Sequence, residues 1–172
     1  MIRKLLGLVA GLSALTACDE GPASNLSFTT TPEVWSFVTA AATGGPLPVE
    51  IHGNPFGDPP RAVAREVATA AGEAFTEPWL RFAATPKADP NLLRLVWLLD
   101  VGRGFNADDV CRGRLPEVDA GRRVIDIRAV LCRGERPLSA VHGWMRNPGS
   151  ASDPSWRHLI AQMARQLLTG RG

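Results

Sequence analysis

LLRLVWLLD, residues 92–100, is the stretch from which the fold can be read. Leu93, Leu95, Trp97 and Leu99 recur at every second position and mark one face, while Arg94 is the one charge breaking the other. A period of two with apolar residues on both faces is the pattern of a strand buried from both sides, so this run is expected at the centre of a sheet.

Working upstream, Thr76 to Asn91 holds Pro78, Pro86 and Pro90 and is expected to be irregular, with Trp79 and Phe82 folding back on the core. Before it, Val63, Val67, Ala70, Ala71, Ala74 and Phe75 fall on one helical stripe, with Arg61, Arg65, Thr69 and Glu73 opposite. Asp58 ahead of Pro59 and Pro60 is the expected N-cap of that helix. Earlier still, Leu47, Val49 and Ile51 alternate with Pro48, Glu50 and His52, as in a half-buried strand. Pro48 cannot donate to a ladder, so that strand lies at an edge or begins there.

Downstream, Val101 to Gly121 reads as a Gly- and charge-rich loop carrying Cys111. From Arg122 to Cys132 the chain alternates again, with Ile125, Ile127, Ala129 and Leu131 inward and Asp126 and Arg128 outward. Gly134-Glu135 then turns it into Leu138 to Trp144, which makes an antiparallel hairpin. Asp153-Pro154 opens a last helix that carries Trp156, Leu159, Ile160, Met163 and Leu167 on one stripe and ends at Gly170.

These elements predict an α+β domain over residues 46–172: a two-layer sandwich of about four mostly antiparallel strands in the order β-α-β-β-β-α. Both helices would cover one face, leaving Glu50, His52, Arg94, Asp126 and Arg128 on the other. In layout this loosely resembles small domains of envelope assembly and secretion lipoproteins.

The N-terminal residues carry a different message. Arg3 and Lys4 precede an apolar run from Leu5 to Ala14, too short to span a bilayer, and then small residues. The stretch ends in Leu15-Thr16-Ala17-Cys18, which resembles the lipobox of bacterial lipoproteins. The resemblance implies that residues 1–17 are a signal peptide and that Cys18 becomes the acylated first residue, with palmitate among the chains. It also implies that the domain is anchored to a membrane in the cell envelope, facing the periplasm. Asp19 resembles the inner-membrane retention signal of enteric bacteria. Residues 18–45 are then expected to be a lipidated tether, disordered from Asp19 to Pro32, followed by a short helix over Glu33 to Ala42.

Of 19 Lys and Arg residues, Arg3 and Lys4 would leave with the leader, so 17 face 17 Asp and Glu. A formally neutral protein lacks the basic surplus that nucleic-acid binding needs. With Cys18 taken by lipid, Cys111 and Cys132 remain as an even pair in an oxidising compartment, and a disulfide between them is expected. A metal or redox pair is the rival reading, but no CxxC exists and no His adjoins either Cys.

Three features are candidates for chemistry. The loop from Gly53 to Asp58 (GNPFGD) joins strand to helix, and with Asn54, Phe56 and Asp58 it is a candidate ligand or anion site. It lacks the Lys of a P-loop and the spacing of GxGxxG, so a structural turn is the preferred reading. His52 and His142 are expected on neighbouring strands near Glu50 and Asp126; a metal there would need further ligands, and none is assigned. Arg112, Arg114, Arg122, Arg123 and Arg133 gather around the cysteine pair; they could meet anionic headgroups, but a solvated loop balanced by Asp108, Asp109, Glu117 and Asp119 is the preferred reading. Ser139 and Ser155 stand outside any GxSxG context, and no catalytic residue or cofactor is assigned. The expected function is therefore non-enzymatic: binding another envelope protein or supporting an assembly. A small-ligand or anion-binding module is the alternative, and a hydrolase a weaker one.

Overall fold

The computed structural model describes residues 22–102, 104–118, 123–146 and 148–171. The expected leader over residues 1–17, Cys18 and Asp19 lie outside them, as do Asp119 and Arg122. The elements are β1 (Ala23–Thr29), α1 (Val34–Ala42), β2 (Leu47–His52), α2 (Pro60–Gly72), β3 (Phe82–Thr85), β4 (Leu93–Leu99), α3 (Ala107–Cys111), β5 (Val124–Arg133), β6 (Arg136–Arg146) and α4 (Pro154–Thr169). The six strands form one mixed sheet in the order β1-β6-β5-β4-β2-β3.

The run at 92–100 does sit inside the sheet: β4 is buried along its whole length, parallel to β2 on one side and antiparallel to β5 on the other. Its period of two splits the molecule into two cores. Leu93, Leu95, Trp97 and Leu99 join the larger core beneath α1, α2 and α4. Val96 and Leu98 face the opposite side, where they meet Val110, Cys111, Val130, Cys132 and Ala140 in a smaller core under α3. The class is α+β as expected, but the sheet has six strands rather than four. Three helices rather than two cover its main face, and the other face is half covered.

Each difference has a physical origin. Residues 23–29 are polar enough to read as tether, yet they form β1 because the edge of β6, more than a hundred residues later, supplies hydrogen-bond partners. Among the described residues the fold therefore begins at Ala23, ahead of the expected boundary at residue 46. Val34 and Val38 of α1 are fully buried, so that helix packs on the domain. The four residues of β3 add to β2 in parallel, a pairing made possible by the α2 crossover. With β3 outside it β2 is internal, and Pro48 is tolerated because the ladder to β4 begins only at Val49. Inside the expected loop at 101–121, Asn106 caps a five-residue helix by accepting from the amides of Asp108 and Asp109.

The two long helices start differently. Asp153 caps α4, accepting from Ser155 N at 2.8 Å and Trp156 N at 3.4 Å, and Gly170 ends it in the left-handed conformation (φ 65°). Asp58 does not cap α2. That helix begins at Pro60 with no side-chain cap, and Asp58 instead accepts from Ala151 N, across to the loop before α4. Among the described residues no helix is long and apolar enough to cross a membrane.

Candidate functional site

The face opposite α1, α2 and α4 is where polar side chains gather, and strand register decides which of them meet. Arg128 of β5 lies opposite His142 of β6, and His142 opposite Asn25 of β1. In the other direction Arg128 faces Leu98 of β4, and Leu98 faces His52 of β2. Directly opposed residues share a face, so Asn25, His142, Arg128, Leu98 and His52 form one row across five strands. Asp126 and Trp144 are the next opposed pair, one step toward the end where β1 begins.

Asp126 organises this patch. Its Oδ2 lies 2.7 Å from His142 Nε2, and its Oδ1 accepts from Arg128 Nε at 3.0 Å. Partial burial pushes the Asp126 carboxyl up, but the His142 hydrogen bond and charge, followed by Arg128, outweigh it and hold the group below its ordinary value. Aromatic rings flank the ions. The His142 and Trp144 rings are 4.9 Å apart, and the Arg128 guanidinium lies 5.3 Å above the Phe105 ring. The side chains of Asp126, Arg128 and His142 are each about a quarter exposed, so the patch is ordered and still open to contact.

A second polar group lies at the β2 side. Glu50 Oε1 accepts from Ala88 N at 2.9 Å and sits 3.5 Å from Arg94 Nε, while Oε2 lies 3.3 Å from His52 Nε2. Arg94 is buried, and its guanidinium donates to the carbonyls of Pro90, Gly134 and Cys111. These bonds lace the loop before β4, the β5–β6 turn and the end of α3 onto one side chain. The Cys111–Cys132 disulfide fastens the same helix to β5. Between them is an open cleft of about 510 Å³ lined by Glu50, His52, Lys87, Arg94, Arg112 and Glu135, with charges of both signs.

The sequence candidates fare differently. Asn54 and Phe56 belong to a turn that satisfies itself: Asn54 Oδ1 accepts from Phe56 N and Asn54 Nδ2 donates to the Asp58 carbonyl. Phe56 is buried, edge-on to Trp156 at 4.9 Å, and the Asp58 carboxylate is held by Ala151. The loop is a structural joint whose side-chain polar groups are hydrogen-bonded within the turn and to Ala151 N. His52 and His142 share a face but not a neighbourhood, since β4 and β5 separate their strands by about 14 Å. Each has its own carboxylate, Glu50 and Asp126 respectively. Among the described residues no three His, Cys, Asp or Glu side chains are placed to hold a metal. Trp144, Phe105 and Asn25 were not singled out from the sequence.

No family model matches the chain, and no curated protein matches it. Among solved structures it is similar to the dodecamer of PelC from Paraburkholderia phytofirmans, a leucine-to-methionine variant, at 9% identity and a TM-score of 0.43 over 86% of this chain and 95% of that chain. A likeness that remote is one of outline, and the site is read from its own residues. What those residues offer is an indole, an imidazole, a guanidinium and a carboxylate held close together on a sheet; of these, the indole and the guanidinium are side-chain types on which protein interfaces concentrate their binding energy.

Proposed function

We propose that this chain is a membrane-anchored envelope lipoprotein of non-enzymatic role, which binds another envelope protein through the open face of its sheet. The observation that carries the docking reading is the Asp126–Arg128–His142 network with Trp144 and Phe105 beside it. Side chains locked by mutual hydrogen bonds lose little freedom on binding, which is what a recognition surface requires. The Cys111–Cys132 disulfide supports the address, because such bonds persist in oxidising compartments, and the Leu15–Cys18 lipobox supports the anchor. Strand addition at the sheet edges is a weaker route. The outer strand β3 is only four residues long, and the β1–β6 pairing shifts register between Leu26 and Phe28, features that blunt an edge. The ligand-binding alternative loses support at the Asn54–Asp58 loop, whose polar groups are taken up within the turn and, at the Asp58 carboxylate, by Ala151 N.

Photocrosslinking in the native membrane tests this. A photoreactive residue in place of Asn25, on the open face, should trap a discrete envelope protein, whereas one in place of Gln162 on α4 should not. Identical products from the two positions, or none from either, would rule the docking face out.

A further inference from the structure

We infer that the domain stands on an anionic bilayer surface by the end of the sheet where β1 begins, with Arg123 and Arg146 against the lipid headgroups. This rests on the anchor proposed at Cys18. The sequence alone allows a tether of 14 residues, reaching about 45 Å. The structure removes most of it: Ala23 is already paired to Trp144 in the sheet. Five Cα–Cα steps lead from Cys18 to Ala23, and whatever path they take they span at most about 18 Å. An acylated Cys18 therefore brings the start of β1 close to the headgroups.

What the molecule presents there suits such a surface. Strand β6 runs on for two residues past Trp144 to Arg146, which pairs with Val124, so Arg146 and the adjoining Arg123 project beyond the start of β1. Both arginines are exposed. A bridge between Val101 and Val118 brings a 44% exposed valine to the same end, where β4 finishes. Glu117, its neighbour in the chain, is exposed as well. Arginines and an exposed apolar side chain at one end of the domain match the boundary between headgroups and acyl chains. The opposite end, at the Gly134–Glu135 turn, also has Arg133 and Arg136, but it lies the length of β6 away, about 33 Å, beyond the leash. In this posture the Asp126–His142–Trp144 patch sits just above the membrane, facing sideways toward any neighbour anchored in the same leaflet.

Energy transfer from single labels on the full-length lipidated protein decides the posture. With Cys18 acylated and Cys111 bonded to Cys132, an introduced thiol is the one free for a dye. Ser152→Cys labels the membrane end and Glu135→Cys the far end, in phosphatidylcholine–phosphatidylglycerol vesicles carrying a headgroup acceptor. Transfer from position 152 should exceed that from 135 at least about twofold, given the separation of the two ends. Combining Arg123→Glu with Arg146→Glu should erase most of the difference. Equal transfer from the two ends means the domain lies on its side and overturns the inference, and a difference that survives the double variant overturns the role of the arginines. A protein that fails to float with vesicles at all fails at the anchor, and that outcome is read separately by flotation.

Discussion

The guanidinium of Arg94, at the start of the most apolar strand, donates a 2.6 Å hydrogen bond to the carbonyl of Cys111 on α3. It also donates to Pro90 and Gly134 and sits beside Glu50, so one buried charge holds the loop before β4, the β5–β6 turn and the end of α3. Arg94→Met keeps the apolar stem but leaves the Glu50 carboxylate without its cation and three carbonyls short of a donor. Stability in urea should fall by about 3–4 kcal/mol, the cost of breaking a buried charged network from one side. A loss below about 1 kcal/mol would show that water replaces the guanidinium freely.

The disulfide acts on the same helix. It closes a loop across 21 positions, so reduction should cost roughly 3 kcal/mol on the chain-entropy account. Cys111→Ala with Cys132→Ala should show a similar loss, with hydrogen exchange rising first in Ala107–Cys111. An unchanged denaturation midpoint under reductant would contradict this.

Two glycines make a matched pair. A Cβ on Gly53 would stand 2.0 Å from the Leu99 carbonyl oxygen, and its φ of 87° is one that side-chain-bearing residues rarely adopt. A Cβ on Gly143 would meet Met163 Sδ at 2.4 Å, the far end of a flexible side chain. Gly53→Ala is therefore expected to cost about 3 kcal/mol or to abolish folding, and Gly143→Ala about 1–2 kcal/mol as Met163 swings aside. Thermal melts of the two variants should rank in that order.

Asp126 gives the fold a pH dependence with a definite sign. Burial raises its pKa, but His142 and then Arg128 outweigh burial and leave it below 3.8. A carboxyl lowered on folding contributes stability that is fully present above its unfolded value and is lost as pH falls through the folded one. Asp126→Asn should cost about 1 kcal/mol at neutral pH, the group being partly open to solvent. Its melting curve should converge on that of the wild type below pH 3.8. A gap that stays constant into acid would mean that shape, and not charge, holds the patch.

Much of the fold was legible because local chemistry agreed with it. The apolar alternation at 92–100, the stripe on Val63 to Ala71, the Gly134-Glu135 turn and the Asp153-Pro154 start are each sufficient in themselves. The site was less legible, and the hairpin shows why. Counting register from the Gly134–Glu135 turn pairs Arg133 with Arg136 and would set Arg128 opposite Val141. The shift between Leu131 and Cys132 inserts one residue and sets it opposite His142 instead. With a side-chain period of two, that single step decides whether the histidine meets Asp126 or the apolar core.

By itself, then, the sequence determined the α+β class, the central strand, the two long helices, and the pairing of Cys111 with Cys132. The tertiary structure alone decided that Ala23–Thr29 is a strand, that β2 lies inside the sheet, that Arg94 is a buried tie, and that His142 belongs to Asp126 while His52 belongs to Glu50. Periodicity is written in neighbouring residues and can be read locally. Pairing partners are not: β1 is ordered by a strand more than a hundred residues away, and a polar stretch carries no mark of the edge that will complete it.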